Sequence, residues 1–138
     1  MDDAALEAAG WTRLPTVAFS AAIGPAWMKG DKGRRTVGLV AREGIVNDYG
    51  MVVHGGALMT FADIALGVGA SEALDGGPLV TAQLQYHFAG GVKLGQLITC
   101  DPEVVRRSTQ LVFVRGLILA DDTVVGSADG IFKALTPR

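Results

Sequence analysis

One carboxylate, Asp63, lies in the middle of the most apolar stretch of this sequence. Between Ala57 and Ala70, Thr60 and Asp63 are the only side chains that are neither apolar nor glycine. A charge that is buried without a partner is so costly that the group usually takes up a proton instead. Asp63 therefore pairs with a cation such as Arg106, faces a water-filled groove, or carries out chemistry.

The second candidate feature is the His54-Gly55-Gly56 sequence that precedes this stretch. The first N–H groups of a helix lack intrahelical partners and lie at the positive end of its dipole. Since glycine lets a ligand approach the backbone closely, the Gly55 amide could stabilise an oxyanion. Alternatively, the two glycines only end a loop, and His54 is either a structural hydrogen-bonding residue or a proton-transfer group.

The spacing of Gly55 and Asp63 restricts how they could act together. Eight residues of α-helix span about 12 Å. An oxyanion donor and a base or nucleophile must each lie within about 3 Å of the same carbonyl group. One helix cannot satisfy both requirements, so a joint function predicts a composite site in a homodimer, with Asp63 of one chain facing Gly55 of a second.

The apolar stretch itself predicts a long central helix over about residues 56–72. The run from 57 to 70 is too long for a typical buried strand and too short to cross a bilayer. A helix that is apolar on every face must be surrounded by protein. A short, peripheral amino-terminal helix is expected over about residues 2–9, ending at Gly10.

The remaining segments favour strands joined by short connections. The predicted strands are a hairpin over 23–29 and 34–42, followed by 79–88, 97–105, 109–120 and 124–135. Pro102 indicates a bulge or an edge within its strand. Short connections favour an antiparallel sheet, and a sheet curved around the helix gives an α+β domain over residues 1–138.

Strand 79–88 shows the clearest alternation of apolar and polar side chains. Its apolar face is expected to contain Val80, Ala82, Leu84, Tyr86 and Phe88. Its polar face is then expected to contain Thr81, Gln83, Gln85 and His87. This assignment places Thr81 away from the core, so Thr81 would fit best at a subunit boundary.

Composition excludes several classes of function. The net charge of −2 and the isoelectric point near 5.6 argue against nucleic acid and anionic membranes as partners. Cys100 is the only cysteine, which leaves neither an intrachain disulfide nor a cysteine-based metal site. The acidic amino terminus lacks the features of a secretory signal, so a cytoplasmic location is expected. Charged residues make up only 19% of the chain, which favours a surface partly covered by another subunit.

His54-Gly55-Gly56, with Asp63 seven residues beyond the second glycine, resembles the signature of hotdog-fold acyl-CoA thioesterases. The resemblance is to the PaaI-like branch of the 4-hydroxybenzoyl-CoA thioesterase superfamily. It extends from about Ile23 to Ala134 and includes residues 50–53, the strand 81–88, Gly95 and the pair Arg106-Arg107.

The resemblance implies a hotdog fold, in which five or six antiparallel strands wrap around the central helix. It also implies hydrolysis of an acyl-CoA thioester without metal or cofactor, coenzyme A being part of the substrate. Asp63 would be the nucleophile or the general base, and the Gly55 N–H would polarise the thioester carbonyl. His54 would orient the site, and the Thr81 hydroxyl would hold the attacking water or the carboxylate.

Two parts of the resemblance leave alternatives open. The family commonly has asparagine six residues before the histidine, whereas Asp48 occupies that position here and Asn47 precedes it. Either Asn47 fills the role after a one-residue insertion, or the role is altered. Candidates for the coenzyme A phosphates are Arg106, Arg107, Lys93 and Arg115, with solvated sheet-edge charges as the alternative.

The leading hypothesis is therefore a dimeric acyl-CoA thioesterase. The sparse surface charge favours more than one interface, so the dimer could assemble further to a tetramer. A non-catalytic acyl-CoA sensor on the same fold is the alternative from another class. A dehydratase or hydratase is a third, although those enzymes place their histidine and acidic residue in other local patterns. The sequence does not separate an aryl from a medium-chain aliphatic acyl group.

Overall fold

A computed structural model describes residues 1–135 of the chain, which form one antiparallel sheet and two α-helices. The helices are α1 (Asp3–Ala8) and α2 (Gly55–Ala73). The strands are β1 (Thr12–Arg13), β2 (Ala26–Asp31), β3 (Arg34–Val40), β4 (Leu79–Phe88), β5 (Leu97–Cys100), β6 (Glu103–Arg107), β7 (Leu111–Ala120) and β8 (Thr123–Ala134). Short 3₁₀ turns occupy Ala18–Ile23 and Glu43–Ile45.

The sheet wraps around α2 with the strand order β1-β2-β3-β5-β7-β8-β4, and β6 pairs beside β5 on β7. The buried side chains of α2, among them Phe61 and Leu66, pack on buried sheet residues such as Val114, Ile118 and Phe132. This arrangement is the α+β hotdog fold, so the predicted fold class is confirmed. No helix within residues 1–135 combines the length and apolar character needed to span a membrane.

The sheet has eight strands within the described residues rather than the five or six expected. One extra strand arises at Pro102, where the predicted strand 97–105 divides into β5 and β6. Proline removes a ladder donor, and its side chain packs against α2, where a Cβ on Gly69 would lie 2.9 Å from Pro102. The other is the two-residue β1, in a segment for which only irregular backbone was expected.

The amino-terminal helix packs on the outer face of the sheet through one buried residue. Leu6 of α1 is fully buried and forms a second apolar cluster with Trp11, Trp27 and Val40 on the outer face of the sheet. Gly38 of β3 permits this packing, because a Cβ there would lie 2.9 Å from the Trp11 ring. The helix is thus peripheral, as expected, since it lies on the face opposite α2 and Leu6 is its one buried residue.

A β-bulge in β4 changes which side chains face the central helix. Thr81 pairs with Phe132 and Gln83 with Ile131, so Ala82 is the extra residue. Thr81 consequently shares the inner face with Leu84 and Tyr86, contrary to the simple alternation. The expected apolar face is also wrong at Val80, which is 44% exposed, whereas Phe88 shares the helix-facing side with Tyr86 as expected, although it is 55% exposed.

Candidate active site

His54 caps the amino terminus of α2 with both its side chain and its backbone. The Gly56 N–H donates to Nδ1 of His54 over 2.8 Å. The N–H groups of Ala57 and Leu58 donate to the His54 carbonyl at 2.9 and 3.2 Å. Because Nδ1 accepts a hydrogen bond, it carries no proton in this arrangement, so His54 orients the helix start rather than offering that nitrogen as an acid.

These capping contacts leave one amide of the first turn available. Within residues 1–135, the Gly55 N–H has no hydrogen-bond partner. It lies at the positive end of the helix dipole, where it can bind developing negative charge. A Cβ on Gly55 would lie 3.3 Å from the Phe88 ring, so Phe88 forms a wall beside this donor.

Asp63 is positioned by Thr81 rather than by a cation. The Thr81 hydroxyl donates to Oδ1 of Asp63 over 2.6 Å, and the β4 bulge at Ala82 directs Thr81 toward the helix. Asp63 is half-buried, and Oδ2 remains for another partner. Of the alternatives open for Asp63, pairing with Arg106 is therefore not observed.

Two adjoining cavities meet at Asp63. The larger, of about 470 Å³, lies between α2, the segment 14–20 and the start of β4. The smaller, of about 230 Å³, lies toward the amino-terminal half of α2 and is bordered by Phe19, Thr60 and Leu84. Asp63 thus lies at the edge of a mainly apolar groove, where a carboxylate can meet both water and an apolar ligand.

Gly55 and Asp63 occupy the same continuous helix, as the sequence predicted. Their separation of eight residues corresponds to about 12 Å along the axis. The structure thus brings Thr81 to Asp63 and His54 to Gly55, but it keeps these two pairs apart within one chain.

Comparison with known proteins identifies the family from residues 50–127, which match the family model described as Thioesterase superfamily and make up more than half of the chain. The chain belongs to the thioesterase superfamily. The matched residues include α2 with His54, Gly55 and Asp63, and also β4 with Thr81.

The individual relatives of this thioesterase-superfamily chain have low sequence identity to it. The Pseudomonas aeruginosa protein named Putative esterase PA0474 is 26% identical over 111 residues, which cover 80% of this chain and 83% of the relative. The Escherichia coli PaaI protein from the phenylacetic acid degradation operon has the same fold, with a TM-score of 0.71, 18% identity and coverage of 98% and 86%. The Bacillus halodurans protein BH2602, solved with CoA, is 28% identical with a TM-score of 0.65, over 72% of this chain and 66% of that one.

Asn47 organises the loop that precedes His54-Gly55-Gly56. Its side-chain Oδ1 accepts from the Met51 N–H over 3.1 Å, and its own N–H donates to the Val52 carbonyl over 2.7 Å. Neither Asn47 nor Asp48 lines either cavity that contains Asp63. In this single chain the Asn47 side chain therefore stabilises a turn.

The structure separates Arg106 from Arg107. Arg106 lies opposite Phe113 and Arg107 opposite Val112, so the two side chains face opposite sides of the sheet. A guanidinium N–H of Arg107 donates to the carbonyl of Ala73, the last residue of α2. Arg107 therefore caps the helix carboxyl terminus, and the two arginines cannot clamp one phosphate group together.

The sequence left the aromatic residues open between core and acyl-pocket lining, and it did not single out Phe19 or Phe88 as site residues. Phe19 lies in the 3₁₀ turn between the prolines, where no periodic pattern exists, and it is 76% exposed beside the smaller cavity. Phe88 was assigned to a buried face by alternation. Its place at the carboxyl end of the strand that follows the helix was the one available signal.

Among the described residues, no group of three or more histidine, cysteine, aspartate or glutamate side chains is placed to hold a metal ion. The single cysteine, Cys100, is fully buried beneath the helix, and burial raises the pKa of its thiol to about 12. Cys100 is therefore protonated at neutral pH and unsuited to act as a nucleophile.

Proposed function

We propose that this protein is an acyl-CoA thioesterase that hydrolyses an aryl- or medium-chain acyl-CoA to the free acid and coenzyme A. The observation that carries this proposal is the unpaired Gly55 amide at the start of α2, on the same helix as the Thr81-bound carboxylate of Asp63. Superfamily membership and the CoA in BH2602 support it. The reaction requires no resident metal or cofactor.

The two groups have complementary tasks in thioester hydrolysis. The Gly55 N–H donates to the carbonyl oxygen and stabilises the negative charge that develops there. As a general base, Asp63 takes a proton from water, the resulting hydroxide attacks the carbonyl carbon, and the C–S bond breaks as the thiolate accepts a proton. As a nucleophile, the Asp63 carboxylate attacks the carbonyl carbon, the C–S bond breaks and coenzyme A leaves as its thiolate, which takes up a proton. Water then hydrolyses the mixed anhydride to the free acid and the regenerated Asp63 carboxylate.

The site is composite, because about 12 Å of helix separates Gly55 from Asp63 in one chain. Strand β4 offers a way to join two chains, since it is the last strand of the sheet order and has ten residues without proline. A long unpaired edge of this kind favours pairing with another strand.

The positions of Thr81 and Phe88 on β4 support this assembly. Thr81 near its start touches Asp63, and Phe88 at its end lies beside Gly55. Antiparallel pairing of two β4 strands, with Thr81 opposite Phe88 of the second copy, directs Asp63 of each chain toward Gly55 of the other. The assembly proposed is a homodimer with two equivalent sites, which could associate further into a tetramer.

A hydrolysis screen across aryl, short-chain and long-chain acyl-CoA esters tests this function. Asp63→Ala should lower kcat on the best ester by about 10²- to 10⁴-fold, because the general base or nucleophile is removed. Asp122→Ala, in the exposed β7–β8 turn, is the matched control and should keep wild-type turnover. Thermal unfolding of both variants checks that the fold is intact.

Near-full activity of Asp63→Ala on every ester would contradict the proposal. Recovery of bound, unhydrolysed acyl-CoA after long incubation with wild-type protein would instead support a sensor. Formation of an enoyl product would support a dehydratase or hydratase.

A further inference from the structure

The 470 Å³ cavity is elongated along α2. Its helical wall is formed by Asp63, Ile64, Gly67, Val68, Ser71 and Glu72, which follow each other at one-turn intervals on one stripe of the helix. From Asp63 to Glu72 this stripe extends about 14 Å. The opposite walls are mainly apolar and include Leu14, Pro15, Met28, Leu79 and Phe132. The shape suits an extended apolar group that starts at Asp63.

Gly67 lies one turn beyond Asp63 on this stripe, and packing does not require a glycine there. A Cβ on Gly67 would meet only the Phe132 ring at 3.7 Å, an ordinary van der Waals contact. Gly69 differs, because its Cβ would lie 2.9 Å from Pro102. Glycine inside a helix destabilises it by about 1 kcal/mol relative to alanine. The bare position at Gly67 therefore weakens the helix and leaves open the middle of the cavity.

Glu72, at the far end of the cavity, is held in an ion pair with Arg35. Nε of Arg35 lies 3.0 Å from Oε2 of Glu72, and both side chains are mostly buried, at 23% and 18% exposed. The Gly33 N–H donates to the other carboxylate oxygen of Glu72 over 3.0 Å. Since both carboxylate oxygens are bonded, an apolar chain that reached this point would gain nothing by further extension.

We infer that Gly67 determines the depth of an acyl cavity, and that the preferred substrate carries an extended apolar acyl chain lying along α2 from Asp63 toward the Arg35–Glu72 pair. This inference rests on the proposed function for the placement of the thioester at Asp63. It narrows the substrate class from aryl or medium-chain acyl groups to extended chains, and it makes Gly67 a specificity-determining residue.

The test measures binding and hydrolysis separately. Affinity is measured by calorimetry for non-hydrolysable acyl-CoA thioethers from acetyl to lauroyl, with the phenylacetyl thioether as the compact aryl comparison. Hydrolysis is measured for the matching thioesters. The proteins are wild type, Gly67→Ala, Gly67→Leu and the control Gly44→Leu. In Gly44→Leu a leucine is added at a site with no atom within 4 Å of its Cβ, outside the 470 Å³ cavity.

In wild type, affinity and kcat/KM should rise with chain length until the cavity is filled. In Gly67→Leu this rise should end at a shorter chain. Each methylene that no longer fits should lower the affinity roughly fourfold, so two or three should lower it roughly 15- to 60-fold. Gly67→Ala should shift the optimum less and raise the melting temperature, because alanine favours the helix. Gly44→Leu should keep the wild-type length profile.

The chain-length profile of Gly67→Leu and the binding of the phenylacetyl thioether decide the inference. An unchanged length profile in Gly67→Leu would overturn it while leaving thioester hydrolysis intact. If the phenylacetyl thioether binds most strongly and longer chains bring no gain in affinity, the inferred preference for an extended acyl chain is overturned. Length-dependent binding that Gly67→Leu shortens, without hydrolysis by wild type, would support the cavity and reject the proposed enzyme. If Gly67→Leu does not fold, the profile of Gly67→Ala decides.

Discussion

At the scale of single residues, the capping role of His54 is what defines the donor. Its Nδ1 and carbonyl occupy the Gly56, Ala57 and Leu58 amides, and the Gly55 N–H has no partner within residues 1–135. The histidine thus contributes by selecting which amide is free. Its side chain need not exchange a proton for this purpose.

A pair of substitutions at Gly55 separates loss of the amide proton from added bulk. Gly55→Pro removes the N–H at the first helical position, where proline is tolerated, and the extended backbone of His54, at φ −60° and ψ 136°, is compatible with a following proline. We expect kcat to fall about 10²- to 10³-fold, as for loss of an oxyanion donor. Gly55→Ala keeps the N–H and should lose much less activity, with the Phe88 ring adjusting. Equal losses in steady-state kinetics would contradict a donor role.

The Tyr86 hydroxyl is a buried group whose removal should stabilise the protein. It has no hydrogen-bond partner among the described residues, and burial raises the pKa of Tyr86 to about 12. Replacing Tyr86 with Phe should increase the free energy of unfolding by about 1 kcal/mol at neutral pH, measured by urea denaturation. A loss of stability would show that the hydroxyl is hydrogen-bonded in solution.

The same substitution should change how stability depends on alkaline pH. Unfolding returns Tyr86 to its ordinary pKa of 10.0, so above that pH the unfolded state releases a proton that the folded state retains. Wild-type stability therefore falls as pH rises from about 10 toward 12, and Tyr86→Phe should reduce this fall. The pKa of Cys100 is raised by burial from 9.0 to about 12, so its thiol also lowers the stability of the folded state at alkaline pH. Part of the fall in stability should therefore remain in Tyr86→Phe.

At this scale the sequence identified residue types better than orientations. Asp63 and His54-Gly55-Gly56 were recognised because their spacing along one helix is a local property of the chain. The family resemblance also implied that Thr81 could hold the carboxylate, but alternation along the strand placed Thr81 away from the core, because the bulge at Ala82 depends on pairing between β4 and β8. A strand read alone shows alternation but not where its partner interrupts it.

At the scale of elements, both ends of α2 are held by side chains from outside the helix. Arg107 of β6 supplies the contact at the carboxyl end, where the last carbonyls lack partners and the dipole is negative. This contact explains why the described structure favours a structural role for Arg107. Arg106, on the other face, remains a candidate for the coenzyme A phosphates.

Arg107→Gln and Arg106→Gln distinguish the two roles. Loss of the helix cap in Arg107→Gln should lower the free energy of unfolding by about 0.5 to 1 kcal/mol. Arg106→Gln, an exposed change without such a contact, should stay within about 0.5 kcal/mol of wild type. Denaturant titration of the two variants gives the comparison. Unchanged stability of Arg107→Gln, together with a raised KM for acyl-CoA, would reverse the assignment.

Element boundaries followed from the sequence wherever one local signal dominated. Helix α2 at 55–73 lies within one residue of the predicted 56–72 at each end, because its apolar run is long and breakers follow it. The split at Pro102 was expected only as an irregularity, since proline shows that pairing fails but not that two strands result. The burial of Leu6 of α1 depends on Trp27 and Val40, which are distant from it in sequence, and no periodic pattern links them.

At the scale of the whole molecule, the proposed composite site predicts that two inactive variants can restore each other's activity. In a heterodimer of Asp63→Ala and Gly55→Pro, one site carries both changes and the other carries neither. Refolding an equal mixture should therefore recover about one quarter of the wild-type activity, since half of the dimers are mixed and each has one intact site. Native mass spectrometry confirms the mixed dimer. Mixed dimers without recovered activity would contradict a site shared between chains.

The packing of α1 on the outer face has a practical consequence. Both tryptophans of the chain, Trp11 and Trp27, lie in that cluster, and neither lines a cavity that contains Asp63. Intrinsic tryptophan fluorescence therefore reports the docking of the amino-terminal segment and is largely blind to a ligand beside the central helix. An emission shift on heating that precedes loss of helical circular dichroism would record the release of α1 as a separate, earlier event.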